Sequence, residues 1–210
     1  MPISDREKKL KQFNAFFSIN HNFNVNVADI DNQSLPSFEQ FMQKMPLPFK
    51  IAGDIAHIDQ AALRPLQGIS SNAAGQLIEY LHHQTQKIDL LIGYIIGQQD
   101  LEEHRFQGIN FGGGGLIFHS NKPFKLGQML ELKVFLENNS TAVYCMGEVI
   151  DTNTNNDDEV TPIKSKIYEV KVTFHYIKED DREILVRTSL HEQSKQLQAL
   201  AKSRIRNKEK

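Results

Sequence analysis

The stretch of sequence that decides the fold is NFGGGGLIF, which runs from Asn110 to Phe118. Four consecutive glycines are incompatible with a helix and weaken a strand. They therefore mark either a backbone with positive φ or a place where another group approaches the backbone closely. The residues that follow alternate as in strands. This excludes the two commonest glycine-rich phosphate loops, because both of those open a helix.

A period of two predicts strands on both sides of the glycines. Between Phe17 and Val27, apolar residues and one histidine alternate with serine and asparagine, which indicates a half-buried strand with a polar solvent face. Polar residues 137–140 close a predicted hairpin, and residues 151–159 are expected to form an exposed loop. Roughly six short antiparallel strands predict a small barrel. The other predicted strand segments are 109–118, 129–136, 142–150 and 168–176.

Helical signals occur near both ends of the chain. Residues 3–16 and 37–45 each predict a short helix, and the second is expected to be closed by Pro46 and Pro48. Residues 49–71 show no decisive period. A last helix is predicted to start at a capping box formed by Asp180 and Glu183, and it leads into a basic tail that is expected to be frayed.

A longer helix is predicted over about residues 73–99, where apolar residues follow the 4-3-4-3 spacing of a coiled-coil seam. Two interpretations are open: an amphipathic helix packed on its own domain, or a helix bundle between subunits. The second is favoured, because apolar residues surround more of the C-terminal half than one flat contact would use. The seam consists of Leu77, Leu81, Gln84, Ile88, Leu91 and Ile95.

Composition and local patterns exclude several classes of function. The 210-residue chain has a formal net charge of −2, which argues against a general nucleic-acid or membrane-surface binder. The longest apolar run, Leu90 to Ile96, is too short to span a membrane, and the charged N-terminus does not resemble a signal peptide. The single cysteine, Cys145, is expected to be a buried thiol in a strand. We expect a reducing, cytoplasmic setting.

Catalytic and metal-binding patterns do not emerge from the sequence. His82 and His83 diverge on the predicted helix, and neither has a ligand partner one turn away, so we interpret them as solvated. The acidic residues 157–159 lack the spacing of a calcium loop. We therefore predict no catalytic residue, no metal and no cofactor, and we do not expect an enzyme.

Several segments, taken in order, resemble a PilZ domain, the bacterial module known for binding cyclic di-GMP. Residues 126–132 resemble its G-x-x-L-x-L strand, residues 147–150 its G-x-V-V segment, and residues 168–181 the motif that precedes its last helix. The resemblance covers about residues 102–190. It implies an α+β fold, in which a six-stranded antiparallel β-barrel is followed by a C-terminal helix.

The N-terminal part resembles a narrower subgroup, the atypical PilZ proteins that form tetramers. In that subgroup a long helical insertion separates the first strand, similar to Phe16–Asn20 here, from the rest of the barrel. The insertion helix would assemble a dimer or a tetramer. The resemblance implies an N-terminal arm at 1–12, a first barrel strand at 13–32, the helical insertion at 33–101, the remaining barrel at 102–180, and the C-terminal helix with its basic tail at 181–210.

Both ligand motifs of the family are altered in this sequence. The arginines of RxxxR, which grip guanine edges and phosphates, are replaced by Asn14 and Ser18. The motif (D/N)xSxxG falls on the glycine run, where Asn110 and Gly115 fit but Gly112 replaces the serine. Losing both arginines removes charge-assisted hydrogen bonds that neutral side chains do not replace. The usual mode of binding cyclic di-GMP is therefore expected to be lost.

These departures predict a non-enzymatic signalling adaptor that self-assembles and binds an unidentified protein partner. An alternative is a true cyclic di-GMP receptor, in which the glycine turn offers N–H groups to phosphate and Arg105 or the basic N-terminal arm acts as a clamp. A third interpretation is a purely structural oligomer without a ligand. We expect neither a nucleic-acid polymer as partner nor insertion into a membrane.

Overall fold

In the computed structural model, six antiparallel strands close into a barrel. The structure describes residues 5–55, 72–136, 141–154 and 167–208. The order of the strands around the barrel is β1-β2-β3-β6-β5-β4, so the predicted six-stranded antiparallel barrel is confirmed. The strands are β1 (Ser18–Ile30), β2 (Arg105–Gly112), β3 (Gly115–Ser120), β4 (Met129–Leu136), β5 (Thr141–Thr154) and β6 (Tyr168–Ile177).

The interior of the barrel is filled by apolar side chains from every strand. Val25, Leu132 and Val172 are fully buried in this core, and Leu185 of the last helix joins it. Cys145 lies there too, as the sequence predicts, and burial raises the pKa of its thiol. The thiol is therefore held in its unreactive, protonated form.

The described residues form five α-helices. One of them, α3, covers residues 47–55 and starts with Pro48 in its first turn, where proline fits a helix well. The amides of Phe49 and Lys50 donate to the carbonyl oxygen of Pro46. The prediction that Pro48 closes the preceding helix is therefore wrong. The other four are α1 (Asp5–Asn14), α2 (Phe38–Lys44), α4 (Asn72–Gly97) and α5 (Glu179–Lys208).

A second apolar cluster lies outside the barrel, where α2, α3 and the end of α4 cover β4 and β5. Phe41 of α2 stacks on Tyr144 of β5, with ring centroids 5.3 Å apart and an interplanar angle of 11°. Burial raises the pKa of the Tyr144 hydroxyl, and the nearby Glu131 carboxylate adds to the effect. The helical insertion is thus anchored on the barrel by its own core. The buried members are Phe41, Met45, Phe49, Ile96, Met129, Phe135, Tyr144 and Met146.

Several boundaries differ from those predicted. The first strand begins at Ser18, since residues 5–14 form α1 and so overlap the strand predicted at 13–32. β5 extends through residues 151–154, which were predicted as loop; residues 155–166, including the acidic 157–159, lie outside the described part. The capping box predicted at Asp180 is wrong, because α5 already begins at Glu179. Asp180 instead pairs with the Lys178 ammonium at 3.0 Å.

Candidate functional site

The glycine run forms the turn between β2 and β3, where Gly112 pairs with Gly115. Among the described residues, the one glycine with positive φ is Gly127, so a left-handed backbone does not explain the run. The close approach of other groups to the glycine backbone does explain it. A Cβ atom at Gly112 would overlap the carbonyl oxygen of Phe17, and one at Gly115 would overlap that of Val172. The turn has no room for side chains, including the serine hydroxyl of the family motif.

The groups that approach the glycines come from the segment that joins α1 to β1. Phe13 is buried, and its carbonyl oxygen would lie 2.6 Å from a Cβ at Gly114. The ring of Phe16 fills the space beside Gly113. On the other side of Phe13, the Lys171 ammonium lies 5.3 Å from the ring centroid. The chain's own N-terminal segment therefore covers this surface of the barrel.

Arg182 of α5 also contacts the glycine turn. Its Nη1 donates to the carbonyl oxygen of Gly113, and its guanidinium lies 5.2 Å from the centroid of the Phe16 ring. The carbonyl oxygen of Gly114 accepts from Thr173 Oγ1 and from the Phe174 amide, both at 3.1 Å. The carbonyls of the turn are thus satisfied from within the protein.

Arg182 was not predicted as a site residue. Its position directly after Asp181, in the first turn of the last helix, was the available signal. Its contact with the turn depends on how α5 packs, which a sequence pattern does not specify.

The two positions that replace the arginines lie beside this turn. Ser18 opens β1 and pairs with Gly112, while Asn14 ends α1 on the surface, next to Phe13. The structure therefore places the two segments that correspond to the two ligand motifs next to each other. Asn14 and Ser18 are both uncharged, so these two positions supply no cation to the surface where the motifs meet.

Asn110, the first residue of the second motif, faces Asn20 of β1. Its Nδ2 donates to Asn20 Oδ1 at 2.8 Å. Its own Oδ1 is buried and has no hydrogen-bond partner in the described part of the protein. An amide oxygen of this kind is one acceptor left over for a ligand or for water.

Arg105 does not lie near the glycine turn. It begins β2, whereas Gly112 ends it, and seven residues of strand span about 23 Å. Its Nε donates to Asp100 Oδ1 at 2.9 Å, and this hydrogen bond raises the pKa of the guanidinium. The predicted grouping of Arg105 with Gly112 and Gly115 is therefore wrong, because the two ends of one strand are too far apart.

The basic N-terminal arm, the other predicted clamp, is engaged with β5. Arg6 Nη2 lies 2.8 Å from Asp151 Oδ1, and Lys9 Nζ lies 2.6 Å from Glu148 Oε1. These two ion pairs hold α1 against β5. They also direct the positive charge of the arm toward carboxylates of the same chain.

The predicted seam of α4 is exposed along its whole length. Its five apolar residues retain between 41% and 64% of their accessible surface, and Gln84 is partly buried. Only the last turns of the helix meet the barrel, through Ile92 and the fully buried Ile96. Tyr80, Leu90 and Tyr94 are exposed as well. Such a concentration of exposed apolar side chains on one helix is typical of interaction surfaces.

Other chemistry is not apparent in the described residues. They contain no group of three or more histidine, cysteine or acidic side chains that could hold a metal ion. His82 and His83 instead contact the side chain of Gln86 on the surface of α4, at 3.2 and 3.4 Å. None of the helices in the described ranges is both long enough and apolar enough to cross a membrane.

Comparison with known proteins points to one family. The family model described as "PilZ domain" matches residues 86–190, which is half of the chain. No curated protein matches the sequence. Among solved structures, a tetrameric PilZ domain protein from Xanthomonas campestris, described as self-assembled through an unusual helical bundle, aligns with a TM-score of 0.53. Its sequence is 11% identical, and the alignment covers 90% of this chain and 96% of that chain.

Two further structures align over a smaller part of the chain. The PilZ domain of YcgR from Escherichia coli, solved with c-di-GMP, has 14% identity and a TM-score of 0.38, covering 47% of this chain and 82% of that chain. The inhibitor of motility MotI (DgrA) from Bacillus subtilis has 18% identity and a TM-score of 0.36, covering 43% and 42%.

Proposed function

This chain belongs to the PilZ domain family, and we propose that it is a non-enzymatic bacterial signalling adaptor of that family. In this proposal it acts in the cytoplasm by self-assembly and by binding a protein partner. Cyclic di-GMP is not its working ligand, since the residues that would bind the dinucleotide are altered. The family comprises domains that bind cyclic di-GMP and domains that act as adaptors, so the question is which of the two this chain is.

The observation that carries the proposal is that the turn formed by the glycine run is covered by the chain's own residues and lacks the two arginines of the family. Phe13 and Phe16 cover it, and no side chain fits at Gly112. The positions of the two family arginines hold Asn14 and Ser18. A ligand with two phosphates would have to displace the buried ring of Phe13 and the more exposed ring of Phe16, and it would then meet neutral side chains. Each missing charge-assisted hydrogen bond weakens binding by about 1.5–3 kcal/mol, so two together reduce affinity by orders of magnitude.

The alternative is a cyclic di-GMP receptor with an unconventional site at the glycine turn. Two observations favour it: Asn110 Oδ1 has no partner among the described residues, and Arg182 places a guanidinium at the turn. Arg182 would replace Arg105 as the clamp. Its Nη1 already donates to the carbonyl oxygen of Gly113, and its guanidinium contacts the ring of Phe16. Binding of the dinucleotide would require Arg182 to exchange these contacts for contacts with the ligand.

Calorimetric titration with cyclic di-GMP separates the two functions. The adaptor is expected to show no binding at micromolar concentrations. Micromolar or tighter binding that Arg182→Ala removes, and that Lys125→Ala leaves unchanged, would establish the receptor instead. Lys125→Ala is the control, because it removes an equal charge from an exposed position between β3 and β4, which lies at the other end of β3 from the glycine turn.

Self-assembly through α4 is the second part of the proposal. In heptad geometry, Tyr80, Leu90 and Tyr94 form a second line about 100° around the helix from the predicted seam. Ile92 and Ile96, which pack on the barrel, lie on a third side. A dimer would cover one exposed line only. In a four-helix bundle each helix packs against two neighbours, and the two neighbours lie in directions about 90° apart around its axis. Such a bundle therefore covers both exposed lines. We therefore infer a tetramer rather than a dimer.

A further inference from the structure

The helix α1 docks on β5 and β6 through three side chains that lie on one side of it. Arg6, Lys9 and Phe13 are spaced three and four residues apart, so they share one face of the helix. The Arg6 guanidinium pairs with Asp151 and the Lys9 ammonium with Glu148, and both carboxylates belong to β5. Two cations and one aromatic ring therefore hold α1 on the barrel.

The barrel surface under α1 matches each of these three groups. Gly115 leaves the space in which the Phe13 ring lies, because a Cβ atom at Gly115 would come within 2.7 Å of that ring. The Lys171 ammonium lies 5.3 Å from the centroid of the same ring and attracts its face. Glu148 and Asp151 supply the two carboxylates. We call this surface, formed by Gly115, Glu148, Asp151 and Lys171, the α1 site.

The hold of α1 on its site is weak. Phe13 is the one buried residue between Asp5 and Asn14, and seven of the ten residues are exposed. A helix of ten residues is too short to persist alone in water, so α1 depends on its docking. The six strands close the barrel without it. Since elements with few buried contacts open at a small fraction of the free energy of global unfolding, α1 can leave its site while the barrel stays folded.

We propose that α1 is an internal pseudo-ligand, which masks a docking site for a helix of the protein partner. This inference rests on the proposed adaptor function, and it names the chemistry of the partner and the regulation of its binding. The partner helix carries two cations and an aromatic residue at positions i, i+3 and i+7, as Arg6, Lys9 and Phe13 do. It binds by displacing α1, which competes from a high effective concentration because it is tethered beside the site.

Two other occupants match the α1 site less well. The α1 helix of a second copy has a short tether, since residues 15–17 bridge at most about 14 Å between the helix and β1. Part of that tether is fixed, because the Phe16 ring lies beside Gly113. Cyclic di-GMP is disfavoured by charge, since its phosphates would face the carboxylates of Glu148 and Asp151.

Fluorescence anisotropy with a labelled peptide of residues 5–17 tests the proposal on the full chain. The parent protein should bind the peptide weakly, because its own α1 occupies the site. In the released variant, Arg6→Glu with Lys9→Glu, α1 is repelled from the carboxylates, and the peptide should bind at least about tenfold more tightly. A released variant that binds the peptide no better than the parent overturns the proposal, since α1 would then be a fixed part of the fold.

The matched control is Lys8→Glu with Lys11→Glu. It makes the same change of charge within α1, but both lysines are exposed, and helical spacing places them on the side opposite Phe13. This variant should bind the peptide as the parent does. Peptide binding that rises equally in the control and in the released variant contradicts the proposal, because it would depend on net charge and not on the α1 site.

An exchange of charge between peptide and barrel locates the binding by a second route. Glu148→Lys with Asp151→Lys should bind the original peptide at least about tenfold more weakly than the released variant does. The same barrel variant should gain binding of a peptide that carries Arg6→Glu with Lys9→Glu. A barrel variant that circular dichroism shows to be folded, and that binds neither peptide, contradicts the proposal.

The failure of this inference and the failure of the proposed function give different results. Micromolar binding of cyclic di-GMP by the released variant, but not by the parent, would make α1 the cover of a nucleotide site and would overturn both. A change in the oligomer mass of the released variant would assign α1 to a contact between copies and would overturn this inference alone. Absence of binding for both the peptide and cyclic di-GMP also overturns this inference and leaves the adaptor function standing.

Discussion

At the scale of single residues, Asp181 makes the stability of this protein depend on pH. Burial raises its pKa from 3.8 to about 7, against the favourable charge of Lys178 and with an unfavourable contribution from Asp180. Between these values the folded protein holds a proton that the unfolded chain releases. The free energy of unfolding therefore falls as pH rises from about 4 to about 7, and this contribution is constant above that.

Asp181→Asn should remove this dependence, since an amide does not titrate. At about pH 8 the variant should be more stable than the parent by about 2–4 kcal/mol, and near pH 4 the two should be alike. Urea denaturation across that range measures the difference. Glu179→Gln is the control, because Glu179 lies in the same turn with its side chain 86% exposed. A variant that is less stable than its parent at about pH 8 would show that the carboxylate has a favourable partner.

The glycine run shows what a sequence reveals about single residues and what it omits. Four glycines indicate that the backbone needs room, but they do not say what occupies it. The occupants include Phe13, Phe16 and the Phe17 carbonyl, which lie about a hundred residues earlier in the chain, and the Val172 carbonyl of β6. Arg182 reaches the same turn from the other direction. The local sequence pattern shows that the backbone needs space, and tertiary packing determines which groups occupy that space.

At the scale of elements, a buried carboxylate joins the inserted helix to the barrel. Asp100 follows α4, and its side chain is only 3% exposed. It accepts hydrogen bonds from Asn24 Nδ2 at 3.0 Å, from Asn26 Nδ2 at 2.7 Å and from Arg105 Nε at 2.9 Å. Asn26 Oδ1 in turn accepts from the amide of Leu101 at 2.7 Å. This network fixes the direction in which α4 leaves the barrel.

Asp100→Asn should break the network, because an amide group would set N–H donors against the donors of Asn24, Asn26 or Arg105. We expect the free energy of unfolding to fall by about 2 kcal/mol, and amide hydrogen exchange near the end of α4 to become faster. Glu102→Gln is the matched control, since Glu102 lies 3.7 Å from the same guanidinium but is 89% exposed. A network that stabilises nothing would give both variants the same small effect.

Elements whose apolar residues follow one clear period were predictable from the sequence. Elements that bury apolar residues on two faces were less predictable. β6 alternates and was recognised over nearly its full length. β4 is buried at its ends on both faces, because Met129 and Phe135 belong to the outer cluster while Leu130 and Val134 point into the barrel. The sequence of the helix at residues 47–55, which covers this outer face, shows no decisive hydrophobic period. Its assignment depends on packing against strands far away in the sequence.

At the scale of the whole molecule, the two exposed lines of α4 predict a stepwise loss of assembly. Leu90→Glu with Tyr94→Glu charges the second line and leaves the predicted seam intact, so the tetramer should become a dimer. Leu91→Asp with Ile95→Asp charges the seam itself and should dissociate the protein further. Light scattering at tens of micromolar protein measures the masses, with about 96 kDa expected for four chains of 24.0 kDa.

The order of these effects is what distinguishes a four-helix bundle from simpler assemblies. A coiled-coil dimer built on the seam alone would keep its mass in the variant of Leu90 and Tyr94. A parent protein that is monomeric at the same concentration would rule out assembly through α4 altogether. In both variants the barrel should stay folded, because only Ile92 and Ile96 of this helix join the outer cluster. Circular dichroism of each variant checks that requirement, so a lost assembly is not mistaken for an unfolded chain.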